Sequence, residues 1–292
     1  MYDVPGPRTR RRVLIGSVIG TLLVLGLIAL TVNRLSDHGV FRYRQWAPFT
    51  DPGVQRFLLS GLASTAKAAA FAIVLALAFG VVFAAGRLSD HAWLRVPAVA
   101  ITEFFRAVPL LLLILFLFLG FGNQLRPLGD LVGSEVPEAF GALVVGLMLY
   151  NGSVLAETFR AGILAVPRGQ SEAAHSIGLR KSQVMRLILV PQAVRIMLPA
   201  IISQCVVALK DTALGFVIGY EELLRRGKAV YNEYGNIVPT AIVIAAIYIV
   251  INVLLSQLAS LLERRLRQRG SRPVTLDPAA EMGGAAGTVP TR

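Results

Sequence analysis

The chain has 292 residues, of which 55% are hydrophobic and only 16% charged, with a mean hydropathy of +0.64, values that exclude an ordinary soluble globular protein. A net charge of +12 would suit a nucleic-acid partner, but the Lys and Arg residues gather in short stretches between apolar runs, the pattern of membrane topology rather than of a DNA-binding face. A single cysteine, Cys205, excludes an intrachain disulfide and a Cys-rich metal motif, and its apolar setting reads as a small buried hydrophobe.

A helix crosses the hydrocarbon core of a bilayer in roughly 20 residues, and several apolar runs reach that length. The first, Val13 to Val32, is free of charge and follows Arg8, Arg10, Arg11 and Arg12. It is longer than a secretory signal core and no small-residue cleavage site follows, so it reads as a retained N-terminal transmembrane helix at 13–33 after a basic segment at 1–12. A second run extends from about Phe57 to Gly86, interrupted only by Lys67. A third covers about Val96 to Phe121, with Glu103 and Arg106 near its start and Pro109 expected to kink it and free a carbonyl toward a path. The fourth spans about Ala139 to Phe159, the fifth Leu187 to Leu209, and the last Ile237 to Leu262. The expected fold is therefore an all-α integral membrane protein with about six transmembrane helices.

Basic residues near the span ends stay cytoplasmic. By that rule the N-terminus, Arg87 to Arg95, Arg160 to Arg186 and the region from Arg264 face inward, so both termini are expected in the cytoplasm. The segment 266–292, rich in Gly, Ala and Pro and without apolar periodicity, reads as a disordered cytoplasmic tail.

The connection between the fourth and fifth spans, 167–191, is patterned beyond the needs of a passive loop. Ser171 or Gln170 is expected to cap a short helix after Pro167, with Ala173, Ala174 and Ile177 on one face. Gly178 suits the left-handed end of that helix, and Ser182 a cap on a second one. Such a helix can transmit a push to both spans, although an amphipathic helix lying on the bilayer has a similar sequence.

Several polar groups lie near or inside the spans. Glu103 with Arg106, and Glu157 with Arg160, have the i,i+3 spacing of local structural ion pairs. Lys210 and Asp211 sit between apolar stretches, where charges usually face a cavity or a partner. They are candidates, with Thr212 and Pro109, either for lining a path or for bonding a broken helix end. His38, His91 and His175 fall in separate loops, so no metal-ligand set is expected. There is no G-x-x-x-x-G-K-[ST] phosphate loop and no clustered catalytic set, so the chain is not expected to be an enzyme.

The residues Glu172-Ala173-Ala174, then Gly178, Ile188 and Pro191, resemble the EAA loop of ABC importer permeases. The usual ending, Ile-x-Leu-Pro, is here Ile188-Leu-Val-Pro191, a conservative departure. The stretches Glu103-Phe-Phe-Arg-Ala-Val-Pro109, Ala156-Glu-Thr-Phe-Arg-Ala-Gly-Ile163, Val166-Pro-Arg-Gly-Gln170 and Leu209-Lys-Asp-Thr-Ala-Leu214 resemble permeases of the polar amino-acid uptake family, type I importers. Gly86-Arg-Leu-Ser and the Glu103 to Pro109 stretch look most like glutamate-type permeases of high-GC Gram-positive bacteria. The resemblance implies a five-span permease domain over 57–265 with an added N-terminal helix. It also implies a multi-pass protein of the bacterial cell membrane that imports an amino acid by alternating access. Glutamate is the expected substrate, with glutamine or the basic amino acids as alternatives and an ATP-independent secondary transporter or channel as the alternative of a different class. The resemblance implies that Gly169, Gln170, Glu172, Ala173, Ala174, Gly178, Ile188 and Pro191 dock on an ABC ATPase dimer, and that ATP and Mg bind that partner while this chain binds no cofactor. The further partners implied are a sister permease or second copy and an extracytoplasmic amino-acid-binding protein.

Overall fold

The computed structural model describes residues 6–268, and all regular structure among them is helical. The order is α1 (Pro7–Asp37), α2 (Tyr43–Trp46), a 3-10 turn (Ala47–Thr50), α3 (Pro52–Arg87), α4 (Ala92–Ala107), α5 (Leu110–Leu131), α6 (Pro137–Leu164) and α7 (Arg168–Ser176). It continues with α8 (Lys181–Val184), a π-helical turn (Met185–Leu189), α9 (Val190–Asp211), a 3-10 segment (Thr212–Ile218), α10 (Leu223–Tyr234) and α11 (Ile237–Gln268). Among the described residues, six helical stretches are long and apolar enough to cross a membrane: 8–37, 52–87, 110–131, 137–164, 181–218 and 237–258. The predicted tail from 269 onward, and residues 1–5 of the basic N-terminus, lie outside the described residues.

The third span departs from expectation. One helix kinked at Pro109 was the reading of 96–121, but the chain leaves the helix at Val108, which is extended (φ −76°, ψ 129°), and starts a new one at Leu110. Proline disfavours the helical conformation for the residue before it and supplies no N–H, so the run separates into α4 and the span α5.

The contacts divide the chain into two compact units. Among the described residues the first comprises 6–72, 110–146 and 209–250. Its core joins Val54 and Leu58 of α3 to Leu223 and Val230 of α10 and Ile244 of α11. Lys67, the one charge inside the second apolar run, donates to the carbonyl of Val132 at 3.1 Å. In this unit α5 and α6 approach so closely that a Cβ on Gly141 would lie 2.2 Å from the Leu125 carbonyl oxygen. Backbone cannot yield as a side-chain tip can, so Gly141→Val is expected to destabilise the chain by about 3 kcal/mol or more, the upper range of overpacking. Thermal unfolding in detergent measures this against Gly120→Ala, a substitution into open space on α5 that should leave the midpoint nearly unmoved. Within α1 the uncharged run 13–32 is exposed along its whole length, as suits a helix solvated by lipid.

Among the described residues the second unit comprises 73–109, 147–208 and 251–268. Its core packs Ala76 and Ala84 of α3 against Leu155, Phe159 and Ile163 of α6 and Ala193 and Met197 of α9.

Candidate functional site

The 167–191 connection belongs wholly to the second unit. Pro167, extended at φ −54° and ψ 133°, stands at the start of α7. Its fixed φ lets the helix begin at the next residue, so Gln170 and Ser171 fall inside the first turns rather than capping them. Ser171 Oγ instead donates to the Arg168 carbonyl at 2.8 Å. At the other end the Gly178 N–H bonds the His175 carbonyl (2.9 Å) and the Leu179 N–H the Ala174 carbonyl (3.2 Å), with Gly178 at φ +84°. This is a Schellman stop, and the expectation for Gly178 holds. The next helix is capped differently from expectation: Arg180 occupies the N-cap, its N–H donating to Gln183 Oε1 at 2.9 Å, and Ser182 lies inside α8. A glutamine three residues on can reach back to the N-cap N–H, which a serine at 182 cannot.

α8 passes into α9 through the π turn that carries Ile188. Pro191 gives no N–H to that turn and its ring crowds the carbonyl four residues back, which favours the wider hydrogen-bonding pattern.

Gly169, Gln170, Glu172, Ala173, Gly178 and Pro191 are exposed, and Ile177 is 78% exposed, whereas Ala174 and Val184 are buried. Ile177 thus turns away from the buried face that Ala174 occupies, and the predicted common face of Ala173, Ala174 and Ile177 is not formed. The Gln192 amide donates to Gln170 Oε1 at 3.4 Å, tying α9 to α7. Lys181 pairs with Asp90 in the α3–α4 turn and holds that carboxyl below the usual carboxylate range.

Two further polar assemblies lie in this unit. Arg106 bonds Glu103 at 3.2 Å and Arg160 bonds Glu157 at 2.5 Å, as the i,i+3 spacing predicts. Between the pairs sits a residue the sequence reading placed only among topogenic charges. Arg87, with 8% of its side chain exposed, reaches Glu103 at 3.0 Å and Glu157 at 2.7 Å and donates to the Thr102 hydroxyl. Deeper in the spans, Gln204 donates to Asn151 Oδ1 at 2.6 Å, and Asn151 is 1% exposed. The signal available in sequence was two amides in otherwise apolar runs.

The path candidates Lys210, Asp211 and Thr212 stand in the first unit, where α9 tightens into the 3-10 segment. Lys210 is exposed, Asp211 half-buried, and Thr212 buried with its hydroxyl donating to the Leu209 carbonyl at 2.6 Å. Pro109 is exposed at the α4–α5 break of the second unit.

The first unit also buries an acidic side chain between two spans. Glu222, fully buried, caps α10 by accepting from the N–H groups of Leu224 (2.8 Å) and Arg225 (2.7 Å), and accepts from the Tyr248 hydroxyl at 2.9 Å. Beside it Arg226 bonds both oxygens of Glu135 at 2.6 Å and lies over the Phe57 ring.

Burial raises the Glu222 carboxyl above its ordinary value of 4.5, despite the capping N–H groups that oppose the shift. The native chain therefore holds that proton more tightly than the unfolded chain. This contribution to stability is present below the ordinary value and is lost as pH rises through the raised one. The unfolding midpoint of wild type relative to Glu222→Gln should accordingly fall as pH rises above the ordinary carboxylate value and through the raised one; a rising difference contradicts the assignment.

Residues 76–268 match the model of a family described as binding-protein-dependent transport system inner membrane component. The chain is 42% identical over 240 residues to a glutamate transport system permease protein of Corynebacterium glutamicum, covering 82% of this chain and 85% of that one. It is 32% identical over 209 residues to a glutamate/aspartate import permease protein of Escherichia coli, covering 72% and 93%. A crystal structure of an amino acid ABC transporter with histidines superposes at a TM-score of 0.64, with 33% identity, covering 72% of this chain and 94% of that chain.

Proposed function

The chain belongs to the family of binding-protein-dependent transport system inner membrane components, the amino-acid ABC transporter permeases, and from that premise we propose that it forms half of the pathway of an ATP-driven glutamate importer. It is a multi-pass membrane protein and a transport component, not an enzyme. The coupling assignment rests on one observation: α7 is a short helix, closed at both ends by its own backbone, that presents Gly169, Gln170, Glu172, Ala173 and Ile177 to the exterior.

In the proposed mechanism a separate ABC ATPase dimer, carrying ATP and Mg, grips this face. Closure around ATP moves α7, and the movement passes to α6 and α9, between which α7 is strung. The pathway then opens outward to an extracytoplasmic binding protein that delivers the amino acid. Ala174 on the buried face of α7, Ile188 in the π turn and Pro191 in the first turn of α9 give the loop its rigidity. Lys210, Asp211, Thr212 and Pro109 are assigned to the path, and a sister permease or second copy supplies the other half. Both termini are placed in the cytoplasm by the distribution of Lys and Arg.

Glutamate is supported by the two relatives, a glutamate permease and a glutamate/aspartate permease. A basic amino acid is the second reading, favoured by the solved transporter with histidines.

The test is affinity purification of the full chain from detergent-solubilised membranes of its native host. An ABC ATPase and a permease should accompany it, and vesicles containing the assembly should take up glutamate in preference to arginine, with inhibition by vanadate. Purification without an ATPase, or vanadate-insensitive uptake by this chain alone, overturns the reading in favour of a secondary transporter or channel.

A further inference from the structure

In the second unit, the α3–α4 turn and α8 line an open surface pocket of about 720 Å³ that the transport mechanism does not use. We propose that it binds the headgroup of an anionic phospholipid.

Its position follows from the spans that form it. One wall is the last turn of the span 52–87 and the opposite wall the first turn of the span 181–218, so the pocket lies at the level where hydrocarbon gives way to headgroups. Trp93 in the first turn of α4 is 71% exposed, as suits an interfacial aromatic anchor.

The lining has two chemical halves. Val82, Leu94 and Met185 give an apolar wall, and Val82 is 66% exposed. Arg180, Lys181 and Ser182 supply two cations and a hydroxyl, and His91 completes the polar part of the lining. The lining holds one carboxylate, Asp90, and Lys181 already neutralises it. Arg180 makes no ion pair among the described residues, which leaves a fixed positive charge facing the cavity.

A planar guanidinium with an adjacent ammonium and hydroxyl matches a phosphodiester. A free phosphate would gain nothing from the apolar half of the lining, whereas a phospholipid places acyl methylenes there and its phosphate on Arg180. Basic pockets between helices at a cytoplasmic membrane face bind anionic headgroups by this combination.

The inference rests on the membrane-spanning reading but on neither the ATPase nor the substrate, so lipid retention and ATPase copurification can fail independently. Native mass spectrometry of the full chain in detergent, with palmitoyl-oleoyl phosphatidylglycerol or the matching phosphatidylcholine added, reads it directly. Wild type should retain one phosphatidylglycerol about fivefold or more over phosphatidylcholine, with no displacement by millimolar inorganic phosphate. Arg180→Gln/Lys181→Gln should fall to the phosphatidylcholine level while keeping wild-type helicity by circular dichroism. Asp90→Asn, which releases Lys181, should raise retention, and this arm decides the matter if the double variant does not fold. Equal retention of the two lipids, wild-type retention by a folded double variant, or unchanged retention by Asp90→Asn overturns the proposal. Displacement by inorganic phosphate overturns it in favour of a free-phosphate site.

Discussion

Gly178→Val is expected to reduce transport-coupled ATPase activity about tenfold or more while the chain still inserts and purifies. Gly178 sits at φ +84° with open space around its α-carbon, so the effect is one of backbone strain rather than of crowding. An L-residue in the left-handed region costs about 1–2 kcal/mol, and more when β-branched. Each 1.4 kcal/mol is a factor of about ten in a conformational equilibrium. The strain falls on the two hydrogen bonds that close α7, from Gly178 to His175 and from Leu179 to Ala174. Without them α7 no longer ends where the chain must reverse into α8, and a partner grips a different surface. Asparagine tolerates the left-handed region better than alanine or valine. The series Gly, Asn, Ala, Val should therefore show falling activity, measured as ATP hydrolysis by the reconstituted assembly with substrate-loaded binding protein. An unordered series, or full activity in the valine variant, removes α7 from the coupling role.

The second large effect is expected at Arg87. Its guanidinium is nearly buried and joins carboxylates on two other helices, Glu103 of α4 and Glu157 of α6, while bonding Thr102. Removing one partner of a buried pair typically costs about 3–5 kcal/mol. Glu103 is half exposed and Glu157 about a quarter exposed, and each keeps its own i,i+3 arginine, so solvent and the remaining partners reduce the loss. Arg87→Gln is expected to destabilise the chain by about 2–3 kcal/mol on these grounds. Arg87→Lys should recover only part of it, because one ammonium cannot fork between two carboxylates. A double-mutant cycle of Arg87→Gln with Glu157→Gln, followed by thermal unfolding in detergent, isolates the pair. Strictly additive losses would show that Arg87 is not coupled to Glu157.

In the sequence Arg87 is legible only as a charge at the end of an apolar run. Its partners are 15 to 70 residues away along the chain, and no spacing rule connects them. The pairs Glu103–Arg106 and Glu157–Arg160 could be read because three residues on a helix are neighbours whatever the rest of the fold does. The same division separates Gly178 from Glu222. A glycine that must end a helix acts through its own φ, whereas Glu222 acquired its buried setting only when Tyr248 of α11 was brought against the start of α10.

Local physics in the sequence also set the break at Pro109, although a proline between two apolar runs reads as a kink or an end, and the extended Val108 decided for the end. The six apolar spans follow from length and hydropathy, because a helix of sufficient apolar length can satisfy its own backbone in lipid without neighbours. The helix, stop and second helix between 168 and 184 likewise follow from Pro167 and Gly178, which constrain their own dihedrals. Only the tertiary structure decided that Gly141 meets the Leu125 carbonyl, that Asn151 meets Gln204, and that Arg87 and Glu222 are buried among specific partners. Those contacts depend on the register and rotation of one helix against another, which apolar composition leaves open because lipid and protein interior are almost equally apolar surroundings for a leucine.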